Sequence, residues 1–431
     1  MSGHGARAVP AVAGRPFFRS RWVTAPAHVH ELPPDAGLPA GFRAAAVAAG
    51  LKTSGDADLG LLVCDASEPV SAARFTSTGA PAAPVLVSRE RCRLSALRVV
   101  LANAGCANAA TGRRGLDDAA KTQGAAAAAT GVDPSEVLLA STGAISHYLP
   151  VDAVVRGILQ ASSRLRDGGD GEFQQAIQTT DAFEKRASLV VELPSGSVRL
   201  SAQCKGAGMI SPRFATMLCF VETDAALAAE TADLLLGVCV KRSFDRASVD
   251  GQLSTNDTAA LICSGASAVE VAPESEDELR FGEALDALLR QLAIMMVADG
   301  EGARRIGRVV ARGGSAETVE TAARGVANSP LVKAALHGGD PNWGRVVQAV
   351  GGALGGGGSG RSPLAVDVAI ERVQVCEAGA AVPYDEAALA EAVRREEVEY
   401  EIGLPGEGFE TEVFFSDLSH EYVSINADYT T

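Results

Sequence analysis

Near the middle of the chain, residues 202–224 read AQCKGAGMISPRFATMLCFVETD, and this stretch leaves the backbone few options. Lys205 leads into a turn through Gly206 and Gly208, and Pro212 follows. The chain then enters an apolar run with one threonine, Thr216, at its mouth. Glycines allow the backbone to bend sharply, and proline cannot donate to a strand ladder. The chain must therefore turn here, and the apolar run behind the turn reads as a buried strand. Upstream, Leu189–Leu200 reads as two short strands joined at Pro194–Ser197, a hairpin that delivers the chain to Lys205. Thr216 is preceded by the small Ala215 and lies at the midpoint of 431 residues.

A chain of this length exceeds what one hydrophobic core usually serves, so two domains or one large layered unit is expected. The net charge of -15 disfavours nucleic acid and anionic membranes as partners. Wholly apolar windows such as Leu292–Ala298 are far shorter than the roughly 20 residues that span a bilayer. The eight cysteines show no CxxC or Cys/His pairing, which predicts reduced, mainly buried thiols, no structural metal site and an intracellular protein. The first thirty residues carry Arg7, Arg15, Arg19 and Arg21 and no acid before Glu31. Residues 1–33 thus read either as an organelle transit peptide or as a disordered extension. The location is cytoplasmic in the second case, plastid or mitochondrial matrix in the first.

Leu59–Val63, Pro84–Val87 and Arg98–Ala102 read as strands, the last leading into a small-residue loop, NAGCANAATG at Asn103–Gly112. Helices are expected over Leu116–Thr130 with Gly131 as the stop, Val151–Leu165, Gly171–Thr179, Asp224–Phe244, Asp277–Val297 and Thr318–Asn328. Val137–Ala140 reads as a strand opening onto STGAIS, and Ile306–Ala311 as another. Gly351–Arg361 reads as a low-complexity surface loop. It lacks the GK[ST] of a phosphate-binding loop. Glu412–Phe415 and Tyr422–Ala427 read as strands. Strands and helices interleave without a strict βαβ period, so the fold class is α+β with mixed β-sheets layered with helices.

No Ser/His/Asp arrangement is persuasive, because His147, His337 and His420 have no motif around them. Without a histidine base, a threonine can be activated by its own α-amino group, which ordinarily titrates at about 7.7–8.0 and so keeps a useful neutral fraction near pH 7. For Thr216 to own such an amine, the Ala215–Thr216 bond must first be cut. The hydroxyl can do this by attacking the Ala215 carbonyl to form an ester that water cleaves. On its own chemistry, a threonine opening a buried strand is more often structural.

The segment KGAGMISPRFATML, Lys205–Leu218, followed by Thr223-Asp224, closely resembles the self-cleavage segment of the ornithine acetyltransferases, also called glutamate N-acetyltransferases. NAGCANAATG, STGAI, STNDT (Ser254–Thr258), DGEGA (Asp299–Ala303), DPNWGR (Asp340–Arg345) and INADYTT (Ile425–Thr431) look like family blocks in the family's order. The resemblance implies a mixed-sheet fold of the DmpA/ArgJ, Ntn-hydrolase-like kind and a cut at Ala215–Thr216. An α chain, 34–215, and a β chain, 216–431, would follow. It implies Thr216 as nucleophile, Thr142 and Gly143 as oxyanion hole, and Lys205, Glu301, Asn426, Thr431 and Thr216 as substrate-binding positions. Thr179, with Thr180 as the alternative, joins them. The reaction implied passes acetyl from N2-acetylornithine to glutamate through acetyl-Thr216 in arginine biosynthesis. No cofactor is needed, acetyl-CoA is an alternative donor, and two α and two β chains assemble.

Three departures bear on the substrate: Gln252-Leu253 before STNDT where Asp-Thr is usual, Ser146 where glycine is common, and Arg304 after DGEGA where threonine is usual. A related threonine-type amide hydrolase or aminopeptidase, and a non-catalytic binding protein, are the competing readings.

Overall fold

The computed structural model describes residues 16–211, 217–355, 364–406 and 408–428. Ala215, Thr216 and Thr431 lie outside the described residues, as do residues 1–15 and most of the glycine-rich stretch after Gly355.

Two sheets lie face to face. One has six strands in the spatial order Val29–Glu31, Lys185–Leu193, Gly196–Lys205, Leu218–Thr223, Thr258–Cys263 and Val70–Phe75. The other has four, Phe42–Val47, Leu59–Cys64, Val99–Cys106 and Val137–Ala144. Side chains alternate across a strand, and these strands are apolar on both faces, so each sheet needs cover on both sides. Leu62, Val100 and Leu138 of the four-stranded sheet meet Leu218, Phe220 and Ile262 of the six-stranded one. The opposite face of the smaller sheet packs Leu61 and Leu139 against helices Gly112–Thr130 and Val151–Ser162. The opposite face of the larger one packs Leu200 and Val221 against helices Ala229–Arg242 and Glu276–Ala298. The layers therefore run helices, sheet, sheet, helices.

A third, seven-stranded sheet built on Ile306–Arg312, Glu397–Gly403 and Glu410–Ser416 has its own core with helices Ala316–Ala327 and Trp343–Leu354. No helix among the described residues is long and apolar enough to cross a membrane. All eight cysteines are free thiols, seven of them buried.

Several elements differ from the sequence reading. Pro84–Val87 lies in the helix Ala83–Arg91, with Pro84 in the first turn, where its missing N–H costs nothing. A four-residue apolar run is too short for periodicity to separate strand from helix. The helix expected from Asp224 begins at Ala229, because Asp224 instead accepts the Arg199 N–H at 2.7 Å and Ala226–Leu227 pair with Glu270–Val271. The strands entering NAGCANAATG and STGAIS run on to Cys106 and Ala144, paired in parallel to their ends. Tyr422–Ala427 is helical, within His420–Asp428. The Ser419 hydroxyl accepts the Tyr422 N–H, capping a turn that alternation in the sequence hid. Residues 16–33, expected as an extension, belong to the body. The Glu31 carboxylate accepts the Phe17 and Phe18 N–H groups, Val29–Glu31 is a sheet strand, and Trp22 packs on Phe414.

Candidate active site

Thr142 lies near the end of its strand in the four-stranded sheet, and Lys205 closes its strand in the six-stranded one. Both follow the alternation that faces the space between the sheets, so the two side chains meet where the sandwich opens. Lys205 Nζ donates to Thr142 Oγ1 at 3.1 Å and to Thr179 Oγ1 at 3.0 Å. An ammonium only donates, so both hydroxyl oxygens act as acceptors and each O–H is left to donate elsewhere. Gly143 has φ +120°, and a Cβ there would lie 2.5 Å from the Gly105 carbonyl carbon. Only glycine fits.

Thr142, Gly143, Thr179, Thr180, Lys205, Glu301 and Asn426 all line one cavity of about 140 Å³. The fold thus gathers every predicted site residue that lies among the described residues. Glu301 reaches the cavity from the turn after the long helix, where its N–H is bound to Ala207 O at 3.0 Å. Its carboxylate accepts from Asn426 Nδ2 at 2.6 Å. A Cβ on Gly208 would lie 2.7 Å from the Glu301 carboxyl carbon, so the glycine makes room for the acid. Asn426 arrives on the C-terminal helix, whose Tyr422 OH reaches Asp250 Oδ2 at 3.4 Å.

The sequence reading missed three aspartates that hold this arrangement. Asp250 accepts the Met209 and Ile210 N–H groups at 2.7 and 2.9 Å, gripping the glycine-rich turn where Met209 takes φ +56°. Asp257 accepts the Met217 N–H at 3.0 Å, and its other oxygen has no hydrogen-bond partner among the described residues. Burial pushes the Asp257 carboxyl well above its ordinary range, although the Met217 amide and neighbouring hydroxyls pull it down. Asp181 accepts from Lys185 Nζ at 2.6 Å, from Gly206 N–H at 2.8 Å and from Thr179 N–H at 3.0 Å. Lys185 also donates to Asp299. In the sequence, Asp181 shows only as the third member of a Thr-Thr-Asp triplet, and Asp250 and Asp257 only as acids flanking a polar loop.

Burial pulls the Lys205 ammonium below the usual lysine range; Asp181 pulls it back, and Lys185 pushes it down again. Burial would raise Asp181, but Lys185, Lys205 and the Gly206 amide outweigh it and hold the carboxyl well below normal. Asp299 is pushed up to about 6 by burial, against the pull of Lys185.

Four layers in the order helices, sheet, sheet, helices, with a polar cavity where the two sheets open, define an Ntn-hydrolase-like protein. Comparison with known proteins narrows this further. The family described as the ArgJ family matches residues 43–431, and the chain belongs to it. It is 40% identical over 402 residues to the arginine biosynthesis bifunctional protein ArgJ of Deinococcus radiodurans, covering 92% of this chain and 99% of the relative. The protein so named from Rhodopirellula baltica is 41% identical over 401 residues, covering 91% and 96%. The crystal structure of ornithine acetyltransferase complexed with ornithine from Mycobacterium tuberculosis is 34% identical. It covers 44% of this chain and 100% of that one, with a TM-score of 0.40.

Proposed function

We infer that this chain is an arginine-biosynthesis acetyltransferase that moves acetyl from the α-nitrogen of N2-acetylornithine to the α-amine of glutamate. The observation that carries the reading is the buried Lys205 ammonium held by Thr142 and Thr179 in the cavity that Glu301 and Asn426 share. Lys205 is suited to the α-carboxylate common to donor and acceptor, because a charge-assisted contact is stronger than a neutral one. Thr142 keeps its O–H free to donate, as an oxyanion hole requires, and the Gly143 N–H is the second donor. Glu301, steadied by Asn426, suits the side-chain ammonium of ornithine. Thr431 is the further substrate contact at the chain end.

Thr216 is the proposed nucleophile, freed by cleavage of Ala215–Thr216. Its new α-amine takes the hydroxyl proton as Oγ attacks the acetyl carbonyl. The amide C–N bond breaks, the proton goes to the departing amine, and ornithine leaves. Glutamate then attacks the ester through its neutral amine, the ester C–O bond breaks, and N-acetylglutamate leaves with Thr216 restored. No cofactor takes part. Acetyl-CoA is the second donor proposed, a reading favoured by the word bifunctional in the names of the relatives. The processed chains are proposed to assemble in pairs. A cytoplasmic location, or an organelle matrix if residues ahead of position 16 act as a transit peptide, goes with this reading.

A denaturing gel tests maturation: the wild type should give two fragments of nearly equal size, and Thr216→Ala a single full-length band. An intact wild-type chain with full activity would falsify it. After incubation with N2-acetylornithine, mass spectrometry should find one added acetyl, on the fragment that begins with Thr216. Acetate release that is undiminished by glutamate would instead mark a hydrolase. CoA release from acetyl-CoA plus glutamate decides the second donor.

A further inference from the structure

Asp181, Lys185 and Asp299 take no part in the transfer just described, yet their side chains are almost completely buried beside Lys205. We propose that Asp181 is a positioning residue of the acetyl-transfer site, one carboxylate that fixes Thr179, the turn after Lys205, and the Lys205 ammonium together. The proposal rests on the reading of Lys205 as the cation that takes the substrate carboxylate.

Geometry makes the case first. Asp181 Oδ2 accepts the Thr179 N–H at 3.0 Å, which places the hydroxyl that Lys205 Nζ binds. Asp181 Oδ1 accepts the Gly206 N–H at 2.8 Å, which fixes the peptide leaving Lys205. Lys185 binds Asp181 and Asp299, and Asp299 in turn accepts the Ala182 N–H at 3.1 Å, so Asp181 is held from both sides.

Electrostatics makes it second. The groups that face Lys205 and Asp181 are Lys185, Asp299, Asp257, Cys204, Lys52 and, on the cavity wall, Glu301 and Asp250. Burial raises all three of these aspartates, but it leaves Asp257 well above and Asp299 at about 6, while the neighbouring lysines hold Asp181 alone below the ordinary carboxylate range. Without it, the Lys205 ammonium would be a buried cation facing a second one, Lys185. Such a cation sheds its proton as pH rises. A buried ion pair is weak evidence for stability in itself, since apolar residues can fill the same space. A cavity that must present a cation to a carboxylate has a specific use for an anion on the cation's far side.

The test compares Asp181→Asn, the charge-balanced double variant Asp181→Asn/Lys185→Gln, and Lys205→Ala. Acetyl transfer is followed by kcat/KM from pH 6 to 9.5. Binding of N-acetylglutamate is followed by calorimetry over the same range, a readout that does not need turnover. In Asp181→Asn the alkaline limb should move to lower pH, giving a roughly tenfold or greater loss at pH 9 that shrinks toward pH 6.5, and in the double variant, which also removes the repulsion from Lys185, it should move the same way by less. Lys205→Ala should lose binding at every pH with no recovery. If the Asp181 variants follow the wild-type pH profile while Lys205→Ala fails, Asp181 is only structural and the proposal is overturned. If Lys205→Ala binds N-acetylglutamate normally, the reading of Lys205 falls instead. Should Asp181→Asn fail to fold, the double variant, which removes Lys185 together with its Asp181 partner, carries the comparison through its smaller alkaline shift.

Discussion

At the scale of single residues, the site is governed by what can donate and what can only accept. The Lys205 ammonium takes up the Thr142 oxygen and so leaves the Thr142 O–H to donate elsewhere. Removing that donor should cost about 2.7–4 kcal/mol of barrier, or roughly 10²–10³ in rate. Thr142→Ala should therefore lower kcat of acetyl transfer by that factor with little change in KM, while Thr142→Ser should keep most of it. Equal losses in the two variants would remove the hydroxyl from the mechanism. Gly208→Ala acts on the other end of the substrate. Its new methyl group would press on the Glu301 carboxylate, now held to Asn426, and should raise KM for N2-acetylornithine more than it lowers kcat.

Residues whose chemistry is local, such as Thr142 with Gly143 or Lys205 with its glycines, were legible in the chain as short blocks. Asp181 was not, because Gly206 reaches it from 25 positions away only on folding, and Asp299 enters through Lys185 from 114 positions away. The same limit hid Asp250, which grips amides 40 and 41 positions upstream.

At the scale of elements, the strand Leu218–Thr223 carries a second kind of burden. Glu222 faces the space between the sheets, accepts from Ser201 Oγ at 2.7 Å and Gln203 Nε2 at 3.2 Å, and has one oxygen without a partner among the described residues. Burial pushes its carboxyl up to about 8, against the pull of these two donors. The folded protein therefore keeps a proton that the unfolded chain loses near pH 4.5. Its contribution to stability is fully present below the unfolded value and is lost at about 1.4 kcal/mol per pH unit between there and 8. Glu222→Gln should melt higher than the wild type at pH 8, with the gap closing toward pH 5. A gap that is constant with pH would show the proton to be elsewhere. Lys333, drawn down to about 7 by burial, has the opposite slope above pH 7, but it cancels in this comparison.

Elements with long apolar periods, such as Glu276–Ala298 and the helix stopped by Gly131, were visible in sequence within a few residues. The C-terminal helix was not, since it buries no side chain and owes its form to the Ser419 cap. It holds Asn426 against Glu301 through few contacts.

At the scale of the whole molecule, the six-stranded sheet interleaves the two halves of the chain. Leu218–Thr223 and Thr258–Cys263, from the second half, lie between Gly196–Lys205 and Val70–Phe75, from the first. Cutting Ala215–Thr216 removes none of these pairings. Matured protein should therefore run as one species in native size exclusion and part into two only in denaturant.

An arrangement in which one polypeptide clasps two strands of another from both sides has no low-cost way to trade partners. Enzyme grown on heavy isotopes and mixed with light enzyme should, as intact heterodimers, show only heavy–heavy and light–light pairs after days at ambient temperature. The two products of one translation event would then share a single history, and damage to either would retire both.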